Sequence, residues 1–152
     1  MKTYFSVRVV YDHVAPNGSN EKRKEQYLID ALSFIEAETR AIGELTPFAK
    51  SGLKVTAMKI ENIAEIFNQD DEAADKWYKV KVVFIVIDEK SGKEKKIGRI
   101  CLVKASSSED ATKRLHEGMK GTMADYKIHT ITETQYEDVF FYDLAGQTEE
   151  TR

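Results

Sequence analysis

A chain of 152 residues that is 41% hydrophobic and 32% charged carries enough apolar sequence for one soluble globular fold, which excludes a disordered or fibrous chain. Twenty-three Lys and Arg against 26 Asp and Glu leave a net charge of −3, so no global field draws the chain to nucleic acid or acidic lipid, and any electrostatic recognition has to be local. No apolar run approaches the roughly 18 residues of a membrane span, and Met1-Lys2-Thr3 leads directly into strand-like sequence without a secretory leader, so a cytoplasmic protein with no membrane partner is expected.

The first predicted element is a strand. Phe5, Val7, Val9 and Tyr11 alternate with Tyr4, Ser6, Arg8 and Val10, the period of a half-buried strand. A turn signal at Pro16-Asn17-Gly18-Ser19-Asn20 reverses the chain, which returns through Lys22-Arg23-Lys24 into an apolar segment ending at Ala31. Ser33 followed by Glu36 has the spacing of a capping box, and Phe34, Ala37, Ala41 and Leu45 share the face of the helix it opens. Thr46-Pro47 ends that helix, and a third strand is expected over Leu53 to Ile60. The apolar patch Ile63 to Phe67 is either a short strand extension or an edge piece that binds the other half.

An acidic linker with one helical turn is expected over 68–75, where Asp70, Asp71, Glu72 and Asp75 read as a solvated helix start rather than a cation site. The pattern then begins again. Tyr78, Val80, Val82, Phe84 and Val86 take one face of a strand and Trp77, Lys79, Lys81, Val83 and Ile85 the other. A turn at Glu89 to Lys93 leads into a second basic return and an apolar segment ending at Ala105. The single cysteine, Cys101, falls within that segment and reads as a small buried hydrophobe. Ser107 with Asp110 caps a second helix, whose Ala111, Leu115 and Met119 share a face and which ends at Gly118 to Gly121. A strand from Tyr126 to Glu133 and an apolar patch from Tyr136 to Tyr142 follow, and residues 144–152 read as a frayed tail.

The two halves can be laid over each other. Tyr4 to Tyr11 matches Trp77 to Phe84 at an offset of 73, with Val7, Val9 and Val10 meeting Val80, Val82 and Val83; Leu28 to Ser33 meets Leu102 to Ser107 at an offset of 74. The expected fold is therefore α+β: two tandem ββαβ repeats, 3–67 and 76–143, with pseudo-two-fold symmetry inside one compact domain, 1–143. Right-handed crossovers and uncrossed connections favour the strand order 2-1-3 in each repeat, with the helix on one face. Exposed strand edges favour the repeats joining into one mainly antiparallel sheet of about six strands.

Little in the sequence carries catalysis. His13, His116 and His129 fall in a hairpin, on a helix and on a strand, and spacing pairs none of them with Cys101 or a serine. Ser106-Ser107-Ser108 reads as a helix start. No metal, cofactor or nucleotide-loop motif is expected, and Gly118-Met119-Lys120-Gly121, although of the GxxG form of some RNA clamps, reads as a helix C-cap. The chain is therefore expected not to be an enzyme. The candidate binding surface is the sheet face away from the helices, where Tyr4, Arg8, Trp77, Lys79 and Lys81 alternate outward and Lys54, Lys127 and His129 point the same way. Rings to stack bases and cations to track phosphates are what a single-stranded nucleic acid needs. Polar residues facing water on a one-sided sheet account for the same pattern.

At Asp30-Ala31-Leu32-Ser33-Phe34 with Glu36-Ala37-Glu38, at Leu45-Thr46-Pro47-Phe48, at Glu72 to Trp77 and at Glu117 to Tyr126, the chain resembles a family of small uncharacterised proteins of gut bacteria and their phages and mobile elements. The resemblance implies one compact cytoplasmic unit and a phage or mobile-element role, and it implies no activity and no site residues. The leading expectation is a non-catalytic binder of single-stranded nucleic acid or nucleoprotein. The alternatives are a protein-interaction module or inhibitor of a host factor, using Ile63 to Phe67 and Val139 to Tyr142, and a small-ligand binder at the repeat junction.

Overall fold

A computed structural model describes residues 3–68 and 71–142; Gln69 and Asp70 of the predicted linker and the predicted tail 144–152 lie outside the described residues. Contacts divide the described chain into two units, 3–62 with 135–142 and 63–134, each with one helix and one four-stranded sheet. Among the described residues, no helix is long and apolar enough to cross a membrane.

In the first unit, β1 (Thr3–Val14) and β2 (Asn20–Ala31) form an antiparallel hairpin. Its turn closes through Gly18, whose φ of +86° and amide bond to the Ala15 carbonyl at 2.8 Å need a residue without Cβ. Helix α1 (Phe34–Leu45) starts as the capping spacing predicts: the Glu36 amide donates to Ser33 Oγ at 3.1 Å, and Glu36 Oε1 accepts from the Leu32 amide at 2.8 Å. A short 3-10 turn (Thr46–Phe48) leads into β3 (Ser51–Glu61), antiparallel to β1. The predicted inner residues Phe5, Val7, Val9 and Tyr11 are buried against Ala37, Ala41 and Leu45 of α1, a core worth roughly 1.5–3 kcal/mol for each large side chain.

The second unit has the same ingredients. Strands β5 (Lys76–Ile87) and β6 (Glu94–Ala105) form the hairpin, α2 (Ser108–Gly118) is capped by Ser107 Oγ and Asp110, and β7 (Asp125–Glu133) pairs antiparallel with β5. Tyr78, Val80, Val82, Cys101 and Val103 are buried against Ala111, Leu115 and Met119. Burial, with the Glu65 carboxylate as a lesser cause, pushes the Cys101 thiol up to about 11, so it stays a protonated core group. Each third strand carries a bulge, at Thr56 between the partners of Arg8 and Val9 and at His129 between those of Lys81 and Val82.

The order 2-1-3 expected from connection rules is present in both sheets, but the fourth strand of each comes from elsewhere in the chain. The orders are β3-β1-β2-β8 and β4-β6-β5-β7, where β4 (Glu65–Phe67) runs parallel to β6 and β8 (Tyr136–Phe140) parallel to β2. The expectation of a single six-stranded sheet is corrected by this arrangement. The two apolar patches are strands that close the outer edge of each hairpin, so the hairpins need no edge-to-edge union. The units therefore do not coincide with the segments 3–67 and 76–143. The linker forms no helical turn in its described part: Ala73 and Ala74 fold back onto Asp71 through bonds of 3.0 Å.

An arginine on each helix holds the segment next to the added strand. Arg40 donates to the Asp30 carbonyl at 2.5 Å and stacks over the Tyr142 ring at 4.4 Å, while the Tyr142 amide donates to the buried Asp30 carboxylate at 2.5 Å and its hydroxyl to Glu44. Arg114 instead pairs with Asp71 at 2.6 Å and Asp110 at 2.8 Å. The Ala73 amide first and Arg114 next hold Asp71 below the usual carboxylate range.

Gly118 is explained by the same device. A Cβ there would lie 2.5 Å from the ring of Phe67 on β4, so the glycine permits the close approach of ring to helix, and the predicted C-cap role is secondary. Alanine in a helix normally gains about 1 kcal/mol over glycine; here Gly118→Ala is expected to destabilise by about 1–2 kcal/mol through overpacking. In a Phe67→Ala background the same change is expected to stabilise. Denaturant midpoints of the four proteins check this, and an unchanged sign in both backgrounds defeats the packing argument.

Four of the seven tyrosines hold their protons tightly. Tyr11 and Tyr27 both donate to Glu25 Oε1 at 2.7 Å, and burial first and that carboxylate second raise both above the ordinary tyrosine value; Tyr142 is raised likewise by burial and Glu44. Burial pushes Tyr136 up to about 12. Raised folded values mean stability intact below pH ~10 and lost above it, on the order of 1 kcal/mol per pH unit for Tyr136 up to about pH 12. Alkaline titration should show these phenols ionising together with loss of circular dichroism. Smooth ionisation of all seven near pH ~10 with the fold intact counts against it.

Candidate anion-binding sheet face

Strand pairing fixes which side chains share the face opposite the helix. In the first unit the rows, read β2 to β1 to β3, are Asp30–Tyr4–Glu61, Leu28–Ser6–Lys59, Gln26–Arg8–Ala57, Lys24–Val10–Lys54 and Lys22–Asp12–Ser51. Asp30, Leu28 and Ser6 are buried, so this face is open mainly toward the hairpin turn. There Arg8, Lys22, Lys24 and Lys54 are exposed, and among the described residues none of them has an ion-pair or hydrogen-bond partner. Lys59 pairs with Glu61 at 3.2 Å.

In the second unit the rows, read β6 to β5 to β7, are Leu102–Lys79–Thr132, Ile100–Lys81–Thr130, Gly98–Val83–Lys127 and Lys96–Ile85–Asp125. Lys81, Lys96 and Lys127 are exposed and likewise without a partner among the described residues. Gly98 makes room for Lys81, whose Cε would lie 3.2 Å from a Cβ there. His129, in the bulge, is exposed beside this row.

The aromatic half of the expected pattern is not on the open surface. Trp77 is 2% exposed, with the Lys104 ammonium 5.7 Å from its ring and its carbonyl accepting two bonds from Thr134, at 2.9 and 2.8 Å. An indole buries the largest apolar area of any side chain, and here that burial removes it from the platform predicted for it. Tyr4 and Lys79 are half-buried and already partnered. Of the seven predicted residues, Arg8 and Lys54 come together on one unit and Lys81 and Lys127 on the other.

Strand parity alone does not reveal the cleft on the first unit. Ser6, Arg8, Gln26, Ala57, Met58 and Lys59 line a cavity of about 230 Å³ beside the Thr56 bulge. Gln26 Nε2 donates to Ser6 Oγ at 2.6 Å between two of its lining residues, and Arg8 and Lys59 bring positive charge to the same lining. Lys22, Lys24 and Lys96 complete the basic rows; the sequence marks them only as basic hairpin arms.

The histidines do not form a catalytic group with the cysteine. His13 Nδ1 lies 3.1 Å from the Phe48 carbonyl and His116 Nδ1 2.8 Å from the Tyr126 hydroxyl, while Cys101 is buried in the core. Among the described residues, no group of three or more His, Cys, Asp or Glu converges as metal ligands.

A search of curated proteins finds no match. One family model, described as a domain of unknown function, matches residues 3–142, nearly the whole described chain, and the chain belongs to that family, DUF4494.

Proposed function

We propose that the protein is a non-catalytic nucleic-acid-binding protein whose open sheet faces hold the sugar–phosphate backbone of single strands, in a phage or mobile-element setting. The observation that carries the reading is the set of exposed, unpartnered cations Arg8, Lys22, Lys24 and Lys54 on one face of a chain whose net charge is −3. Like charges on neighbouring strands repel, and an anionic backbone relieves that repulsion with release of its counterions. The burial of Trp77 moves the reading from ring stacking toward phosphate contact. Units of this kind arise from a tandem ββαβ duplication whose last strands exchanged. That origin is supported by bulges at Thr56 and His129, 73 residues apart, and by capping serines Ser33 and Ser107, 74 apart.

Fluorescence polarisation of labelled single strands tests the reading. If about four phosphates are held, log affinity should fall with log salt at a slope near −3. Arg8→Glu or Lys54→Glu should each weaken binding roughly tenfold and flatten the slope, while Trp77→Phe leaves both unchanged. No polarisation change at low salt rejects the proposal.

A second reading, a protein-interaction module, is favoured by the exposed face of α1. Counted from their caps, Leu32, Phe34, Ile35 and Ile42 occupy the positions of Ser106, Ser108, Glu109 and His116 on the other helix. Ile35 is 78% and Leu32 68% exposed, so α1 presents apolar surface where α2 presents polar surface. The segments Ile63–Phe67 and Val139–Tyr142, first considered for this role, are largely taken up by β4 and β8. The double variant Ile35→Glu, Ile42→His gives α1 the residues of α2 at two of these four positions. A partner retained from lysate by the wild type and lost by this variant supports the reading, and identical retention opposes it.

A further inference from the structure

We infer that the cleft formed by Ser6, Arg8, Gln26, Ala57, Met58 and Lys59 receives one unstacked nucleobase of a bound single strand. The inference rests on the nucleic-acid reading and identifies the base contact that a row of lysines cannot supply. Sequence-tolerant binding of single strands combines a cationic track with a place for the base, which elsewhere is an exposed ring. On this protein the candidate rings are buried or half-buried: Trp77 is 2% exposed and Tyr4 is half-buried. The cleft is the available substitute.

Its size and chemistry suit a single heterocycle. At about 230 Å³ it is smaller than the cavities that hold drug-sized ligands, and it corresponds to one small planar group. Ala57 supplies an apolar wall, and Met58 borders the cleft while its side chain, in register with Val7, packs on the helix-side core. Gln26 supplies the edge. One of its amide hydrogens is donated to Ser6 Oγ at 2.6 Å, and its second hydrogen and its carbonyl have no other partner among the described residues. A donor beside an acceptor on one planar amide is the pattern that pairs with the edge of a base. Arg8, exposed and unpartnered, offers a guanidinium plane that stacks on bases or a charge that meets the flanking phosphate. Lys24 and Lys54 lie one row further along the same face, in register with Val10, and continue the track for the adjoining backbone.

An inorganic anion would meet Arg8 but is a poorer fit, because it would face the unpaired Gln26 carbonyl and find no donor on Ala57. An aliphatic ligand is also poorer, because it would cover the unpaired amide of Gln26 without replacing its bonds to water.

The test compares labelled oligo(dT) with an oligonucleotide of the same length and backbone whose residues are all abasic, each titrated against the full chain by fluorescence polarisation at one low salt concentration. The wild type should bind oligo(dT) roughly tenfold or more tighter than the abasic strand. Ala57→Leu fills the cleft from an exposed position on the edge strand and leaves every charge in place. It should bring oligo(dT) affinity down to that of the abasic strand and leave abasic binding unchanged. Gln26→Leu keeps the side-chain size, removes the amide, and should lower oligo(dT) affinity several-fold with the abasic value unaffected. Equal wild-type affinity for the two strands, or a base preference that survives Ala57→Leu, overturns the cleft assignment and leaves the backbone reading standing. Failure of both strands to bind removes the two together.

Discussion

The structure depends on closing the free edge of each hairpin. β2 and β6 are long outer strands of antiparallel pairs, and each would expose a row of unpaired amides and carbonyls on the side away from β1 or β5. A short parallel strand closes each row, β8 on β2 and β4 on β6. Three residues of β4 make few backbone bonds, so further contacts fix it: the side chains Phe67 against Gly118 and Asp71 on Arg114, and one more backbone bond, from the Ala64 amide to the Ile100 carbonyl at 2.7 Å. β8 is fixed in a comparable way, by Phe140 stacked on Tyr27 and by Tyr142 joined to Asp30, Arg40 and Glu44. Because β8 lies at 136–140, the first unit is incomplete until almost all of the described chain has been made. Long-range pairing of that kind is entropically slow to form.

This closure also determines where a site can be. Each helix covers the inner face of its sheet, and the outer faces are buried where Asp30, Leu28, Trp77 and Leu102 lie. What remains open is the part of the outer face toward the hairpin turns, and there the exposed side chains are mostly Lys and Arg. A net charge of −3 for the whole chain does not weaken this local field, because screening at physiological salt confines each charge to about 8 Å. Asp12 and Asp125 share these rows, and other acidic residues are elsewhere, several of them at helix caps or in the Glu25 cluster with Tyr11 and Tyr27.

Much of the scaffold was legible in the residues. Alternation assigned Phe5, Val7 and Val9 to the core, serine-to-carboxylate spacing placed both helix starts, and connection rules ordered three strands of each sheet. The pairing of β4 with β6 and of β8 with β2 was not legible, because segments of three and five residues carry almost no period and their pairing partners lie tens of residues away in sequence. The two possibilities left open for those patches, extension or edge piece, were resolved by contacts no local pattern encodes. Trp77 shows a related limit. Parity put it correctly on the face away from the helix, but parity does not report whether that part of the face is open. Gly118 was read as a C-cap because local sequence explains a glycine at a helix end, whereas its requirement comes from a ring that is 51 positions earlier in the chain.

The two units also bear on how the readings of function relate. Cores and caps correspond closely, with valines, alanines and serines in matching places, so packing constrains both units alike. Their outsides differ in two respects. Both outer sheet faces are basic, but the first unit has the cleft at Ser6 and Gln26, where the second has Lys79 and Ile100 in the matching rows. The helix surfaces differ more sharply: Ile35 and Ile42 on α1 stand where α2 has Glu109 and His116. Exposing apolar groups on one of two otherwise matched helices brings no folding advantage, since neither isoleucine is in the core. Within the first unit, helix and cleft are on opposite sides of the same sheet, so a strand held on the basic face leaves α1 uncovered. The two proposed readings therefore use different sides of the first unit and do not compete for surface.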